Sequence, residues 1–101
     1  MEEYSVKISP AAQNDFLDIT EHLSTLTPEE ATKYYELFME KMELLAKSPE
    51  SFPMARDTQL RLRGYRKLTV EDYTVLYVIN GKAVEILRIL FARRQYDGLL
   101  G

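Results

Sequence analysis

The chain has 101 residues, 46% of them apolar, with no cysteine, one histidine and a formal net charge of −3. A chain of this length is expected to form a single domain, residues 1–101, around one modest core, and its composition excludes a disulfide framework, a thiolate nucleophile and a cysteine- or histidine-rich metal site. No apolar stretch approaches the roughly 20 residues of a membrane span, and MEEYSVKISP lacks the basic and apolar regions of a secretory signal, so a cytoplasmic protein is expected.

Residues 4–8, YSVKI, alternate apolar and polar and predict a short strand. Ser9-Pro10 then sets a helix start, with serine at the N-cap and proline in the first turn. Ala12, Phe16, Ile19 and Leu23 follow as one apolar stripe, and Asp15, Asp18 and Glu21 are read as lying off it. Thr27-Pro28-Glu29-Glu30 reads as a capping box opening a second helix. The buried face of that helix is expected at Ala31, Tyr34 or Tyr35, Phe38, Met42 and Leu45. So short a connection predicts an antiparallel helical hairpin, which Ser48-Pro49 ends.

Residues 48–58, SPESFPMARDT, hold two prolines and read as loop. Strands are expected at 60–70, 73–79 and 82–91, with Asn80-Gly81 as a type I′ hairpin turn. Apolar residues occupy both faces of the last strand, as in the middle of a sheet, and its alternation puts Arg88 on one face with Val84, Ile86 and Leu90. The order is β-α-α-β-β-β. An α+β fold is expected, with the helical hairpin packed on a mainly antiparallel four-stranded sheet.

The charge is unevenly spread. Residues 1–57 carry five basic and twelve acidic side chains, net −7, whereas residues 58–101 carry eight basic and four acidic, net +4. Such asymmetry suits an anionic partner for the second half, unless the acids only solvate helices and the cations only protect strand edges. No glycine-rich phosphate loop occurs, and nothing calls for a metal or an organic cofactor. His22 follows Asp18 by one helical turn, the spacing of a surface contact. The remaining chemistry is basic and aromatic. In the expected first late strand, Arg61, Arg63, Tyr65 and Lys67 share a face. Arg93, Arg94 and Tyr96 follow the last strand. Arginine grips phosphates or carboxylates bidentately, so these residues suit nucleic acid or an acidic protein surface. Arg88 has a structural alternative, pairing with Glu71, Asp72 or a helix carboxylate.

Over nearly its whole length the chain resembles the RelE/ParE superfamily of toxins from bacterial type II toxin–antitoxin systems. The matching stretches are YSVKISPAAQNDFLDI, YYELFMEKMELLAKSPESFP, GYRKLTVEDYTVLYVI and VEILRILFARRQY. The resemblance implies a growth-inhibiting toxin that forms a hetero-oligomer with a cognate antitoxin. RelE-like members cut mRNA in the ribosome with basic residues of the sheet and a C-terminal tyrosine or histidine; ParE-like members bind DNA gyrase. Carried over to this chain, a nuclease would use Lys67, Arg93 and Tyr96. A binding toxin would present Arg88, Arg93, Arg94 and Tyr96 to its target, with Arg61 and Arg63 toward an antitoxin. Thr74 stands where nuclease members often have an arginine, and Phe91-Ala92 leaves no histidine before Arg93. With a pI near 5.2 the chain is poorly equipped to compete for a dense polyanion, which favours the ParE-like branch.

Overall fold

The computed structural model of the chain describes residues 3–91. Strand β1 (Ser5–Ile8) leads into helices α1 (Pro10–Leu26) and α2 (Pro28–Lys47), followed by a 3-10 turn at Pro49–Ser51. A short helix α3 (Thr58–Leu62) precedes β2 (Arg66–Val70), β3 (Tyr73–Asn80) and β4 (Ala83–Phe91). The four strands form one sheet in the order β1-β4-β3-β2, antiparallel except for the parallel pair β1–β4. The expected α+β architecture stands.

Local capping explains the hairpin. Ser9 Oγ accepts the Ala12 N–H at 3.0 Å and donates to the Leu87 carbonyl at 3.0 Å, so one hydroxyl starts α1 and ties it to β4. Thr27 alone separates the helices. Its backbone N–H closes α1 onto the Leu23 carbonyl at 3.1 Å, while its Oγ1 accepts the Glu30 N–H at 3.1 Å. The capping box is therefore only half made: the threonine N–H that Glu30 would accept already belongs to α1.

The core lies between the hairpin and one face of the sheet. Ala12 and Ile19 from α1 and Tyr34, Phe38, Met42 and Leu45 from α2 meet Leu68, Val70, Val75, Tyr77, Val84, Ile86 and Ile89. Each large apolar side chain so buried contributes on the order of 1.5–3 kcal/mol. An aromatic chain runs through this interface. Phe16 lies 4.7 Å from Phe38 and 6.1 Å from Tyr34, ring centre to ring centre. Tyr34 packs edge-on to Tyr73 at 5.2 Å, and Tyr73 to Phe91 at 5.6 Å. Tyr77 crosses the core to donate a 2.6 Å hydrogen bond to the Pro49 carbonyl, which pins the turn after α2 to β3.

Three local expectations are corrected. The strand expected at 60–70 begins only at Arg66, because residues 58–62 are helical. Asp57 caps that helix by accepting the Leu60 N–H at 3.0 Å. Gly64, at φ +83°, closes it: its N–H bonds the Arg61 carbonyl at 2.9 Å and the Tyr65 N–H bonds Leu60 at 3.0 Å. This is a Schellman ending, which needs the left-handed residue that glycine supplies. The β3–β4 turn is also one residue later than expected. Asn80 pairs with Ala83, so Gly81 and Lys82 are the central residues, and of the two only Gly81 has positive φ, at +63°. That is the pattern of a type II′ turn and not of type I′.

The third correction concerns β4. Tyr77 pairs with Ile86, but Leu76 pairs with Arg88, so Leu87 is an extra residue forming a bulge. The bulge inverts the alternation. Val84 and Ile86 face the helices, yet beyond Leu87 it is Ile89 that joins them in the core, and Arg88 and Leu90 turn to the other face with Leu76 and Thr74. Arg88 therefore does not share a face with Val84 and Ile86.

Candidate functional site

The bulge creates the main polar feature of the described structure. Strand β1 ends at Ile8, opposite Ile86, so it does not cover the outer edge of β4 past the bulge. Helix α1 crosses there instead and lowers Asp15 onto that edge. Asp15 Oδ2 accepts from Arg88 Nε at 2.7 Å and from the Ile89 backbone N–H at 2.9 Å, and Oδ1 accepts from Arg88 Nη2 at 3.0 Å. One carboxylate thus satisfies a guanidinium fork and an otherwise unpaired strand N–H. The side chain of Asp15 is 15% exposed and that of Arg88 42%, so the pair is sheltered on the acid's side and open on the base's. The hydrogen bond to Asp15 holds the Arg88 pKa above its ordinary value, with burial opposing and the carboxylate's charge reinforcing.

Of the alternatives open for Arg88, pairing with a helix carboxylate is the one found. Asp15 does not stand out as that partner in the sequence, where it lies off the apolar stripe. Its spacing carried the signal: Asp15 follows Ala12 by three residues and precedes Ile19 by four, which places it beside the buried face.

The face of the sheet turned away from the helices carries two cross-strand rows. Lys67, Leu76 and Arg88 form one, and Thr69, Thr74 and Leu90 the other. Lys67 and Arg88 thus stand two strands apart, about 10 Å at ordinary strand spacing, with Leu76 between them. Leu76, Leu90 and Thr74 are buried. Lys67 is half-buried, and its backbone N–H pairs with the Pro53 carbonyl at 3.1 Å on the edge of β2. The next residue on that strand, Arg66, is spent on structure, donating to the Phe52 carbonyl at 2.7 Å.

Arg61 and Arg63 do not alternate with Lys67 along one strand. They lie on α3 and at its C-cap, both exposed. His22 is exposed on α1. Arg93, Arg94 and Tyr96 fall outside the described residues. Among the described residues no cluster of His, Cys, Asp and Glu could hold a metal ion, and no helix is long and apolar enough to cross a membrane.

Two tyrosines on the helix-facing side differ in their surroundings. Burial pushes the Tyr77 hydroxyl up to about 12, partly offset by the positive charge of Arg66. Burial also raises that of Tyr34, with the neighbouring Tyr73 adding to it, and the Tyr34 hydroxyl is buried without a hydrogen-bond partner. Tyr34 lines a cleft of ≈ 190 Å³ with Glu30, Lys33, Glu71 and Asp72, spanned by a 3.8 Å contact between Lys33 and Glu71.

Comparison with solved structures gives the same architecture. A chain of the chromosomal ParDE toxin–antitoxin system from P. aeruginosa superposes with a TM-score of 0.74 at 25% identity, covering 89% of this chain and 97% of that one. A chain of the RelBE2 toxin–antitoxin complex from Mycobacterium tuberculosis gives 0.56 at 24% identity, covering 88% and 98%. One from the archaeal RelE–RelB complex of Pyrococcus horikoshii gives 0.54 at 22%, covering 90% and 97%. These last two speak to the fold alone. No protein of curated function matches the sequence. The family model described as the ParE toxin of the type II toxin–antitoxin system parDE matches residues 6–96. The chain belongs to the ParE toxin family of type II toxin–antitoxin systems.

Proposed function

We propose that this ParE-family toxin stops growth in the cytoplasm by binding a protein target, DNA gyrase being favoured, and that a cognate antitoxin neutralises it in a hetero-oligomer. Family membership supports the toxin role, and the similar P. aeruginosa chain comes from a ParDE toxin–antitoxin system. The observation that supports the choice of mechanism is the outer face of the sheet around Lys67, where Leu76 stands between Lys67 and Arg88 and Thr74 is buried. Cleavage through a ribose 2′-hydroxyl needs a positioned proton carrier and converging cations around a crowded phosphate. Here the Arg88 guanidinium is engaged by Asp15, Leu76 separates it from Lys67, and a buried threonine occupies position 74. In the binding role Arg93, Arg94 and Tyr96 contact the target.

The alternative is a ribosome-dependent endoribonuclease using Lys67, Arg93 and Tyr96. Expressing the chain and its Tyr96→Phe variant without antitoxin separates the two. Growth arrest with an induced DNA-damage response and intact transcripts is expected. Transcripts cut at ribosomal A-site codons by the wild type, and spared by Tyr96→Phe, would reject the binding reading.

A further inference from the structure

The cleft of ≈ 190 Å³ opens where the first turns of α2 meet the β2–β3 turn. Leu23, Leu37 and the rings of Tyr34 and Tyr73 form its apolar walls. Glu30, Glu71 and Asp72 face a single ammonium, that of Lys33, so two negative charges are left over. Glu30 is explained by its place in the first turn of α2, where the helix dipole favours an acid. Glu71 and Asp72 have no such reason. Glu71 holds φ +53°, which glycine adopts freely, and its contact with Lys33 is long at 3.8 Å and exposed on both sides. Among the described residues the Asp72 side chain has neither an ion pair nor a hydrogen bond.

An independent feature points into the same cleft. Tyr34 is 3% exposed, and its hydroxyl is buried without a hydrogen-bond partner. Its ring stands edge-on to Tyr73 at 5.2 Å. Burial raises both hydroxyls, and beyond it Asp72 acts on Tyr73 and Tyr73 on Tyr34, so these polar ends lie within electrostatic reach of one another. A buried hydroxyl left unpaired is costly, and a ligand group that donates to its oxygen removes the cost.

The lining selects among ligands. An anion is repelled by the excess negative charge. A divalent metal ion needs oxygens converging on one point, and no group among the described residues provides them. A neutral molecule leaves the carboxylates of Glu71 and Asp72 unused. The volume is below the roughly 300–1,000 Å³ of pockets for drug-sized molecules, so the ligand is small. An aliphatic chain with an ammonium at each end meets every condition. Its methylenes lie on the leucines, its two charges match the spaced carboxylates, and cations are attracted by the tyrosine rings.

We propose that the cleft between α2 and the β2–β3 turn binds a short aliphatic diamine. Glu71 and Asp72 hold its ammonium ends, the Tyr34 oxygen accepts one N–H, and Lys33 withdraws from Glu71 to admit it. Bound there, the diamine ties the helical hairpin to the sheet. The cleft shares no residue with those assigned to the toxin's target or antitoxin.

Titration of the full chain with 1,4-diaminobutane at low salt, followed by amide NMR shifts, tests the proposal. Saturable shifts are expected at residues 33–37 and 71–73, together with a raised melting temperature. The singly charged 1-aminobutane should bind at least about tenfold more weakly, and 1,4-butanediol should not bind. Glu71→Gln combined with Asp72→Asn should weaken the diamine by about tenfold or more, and Tyr34→Phe by roughly three- to tenfold. Lys33→Gln should strengthen binding, because a competing ammonium is gone. Glu43→Gln removes an exposed acid far along α2 and should leave binding unchanged. Far-ultraviolet circular dichroism would verify that each variant is folded. Shifts that do not saturate, that the monoamine reproduces at equal concentration, or that fall equally in Glu43→Gln would reduce the effect to screening of surface charge and overturn the proposal. So would tighter binding of N-acetyl-lysine methylamide than of the diamine, since the cleft would then belong to a lysine of a partner protein. Toxicity is not read in any arm, so failure here leaves the toxin reading standing.

Discussion

Asp15 is the residue on which the most local structure converges. Its two oxygens serve Arg88 and the Ile89 N–H, so replacing it strands a guanidinium and a strand donor together. Asp15→Ala should lower stability by about 1–3 kcal/mol in urea unfolding, the range for leaving sheltered donors unsatisfied. A loss below about 0.5 kcal/mol would mean that water replaces the carboxylate at no cost. The tyrosines give a pH signature. A phenol whose folded pKa is raised stays protonated in the fold while the unfolded chain begins to ionise near pH 10. Stability therefore falls as pH climbs from about 10 toward the folded value, about 12 for Tyr77. Tyr77→Phe should cost roughly 1–2 kcal/mol at pH 7, because the Pro49 carbonyl loses its buried donor, and should flatten part of the alkaline decline. Tyr34→Phe should flatten it as well, yet cost almost nothing at pH 7, since its hydroxyl has no partner. Thermal melts at pH 7 and pH 11 would distinguish the two variants.

Elements whose signals are local were legible, and those that depend on tertiary partners were not. Ser9-Pro10 and Thr27-Pro28 set both helix starts, because an N-cap needs only the next three residues. The buried stripe of α2 matches the expectation at Phe38, Met42 and Leu45, with Tyr34 inside and Tyr35 exposed, while Ala31 is only half-buried. Helix α3 had its Asp57 cap and Gly64 stop in the sequence, but Leu60 and Leu62 alternate with arginines as a strand would. The bulge at Leu87 leaves no mark in the sequence. It follows from the end of β1 and the passage of Ser9 and Asp15 over β4, and without it Arg88 was assigned the wrong face. The β2–β3 hairpin holds a comparable irregularity. Glu71 takes φ +53°, a conformation costing a side-chain-bearing residue about 1–2 kcal/mol. Its exposed contact with Lys33 offsets little of that. Glu71→Gly should therefore raise stability by roughly 0.5–1 kcal/mol, after allowing for the greater freedom of glycine in the unfolded chain. A decrease in the denaturation midpoint would show that the Lys33 pair outweighs the backbone.

At the scale of the whole molecule, the charge division separates two surfaces by their chemistry. The acidic half supplies β1 and the helical hairpin, the basic half α3 and the other three strands, and this charge division is readable from the chain cut at Asp57. The net +4 of residues 58–101 overstates what the sheet offers a phosphate. Arg66 is committed to loop carbonyls and Arg88 to Asp15, both internal uses that a charge count cannot register. Family membership was legible from the order of elements and the RILFARRQY stretch, whereas the roles of Arg93, Arg94 and Tyr96 within it rest on the proposed function. A binding toxin does not need the dense cationic site of a nuclease, only a shaped surface with a few charges that set orientation. The most direct measurement is a supercoiling reaction with purified gyrase, set beside a purified translation reaction, each with the toxin alone and with its antitoxin. The account predicts that the toxin blocks supercoiling, that the antitoxin restores it, and that message in the translation reaction stays whole. Unimpaired gyrase beside cleaved message would contradict it.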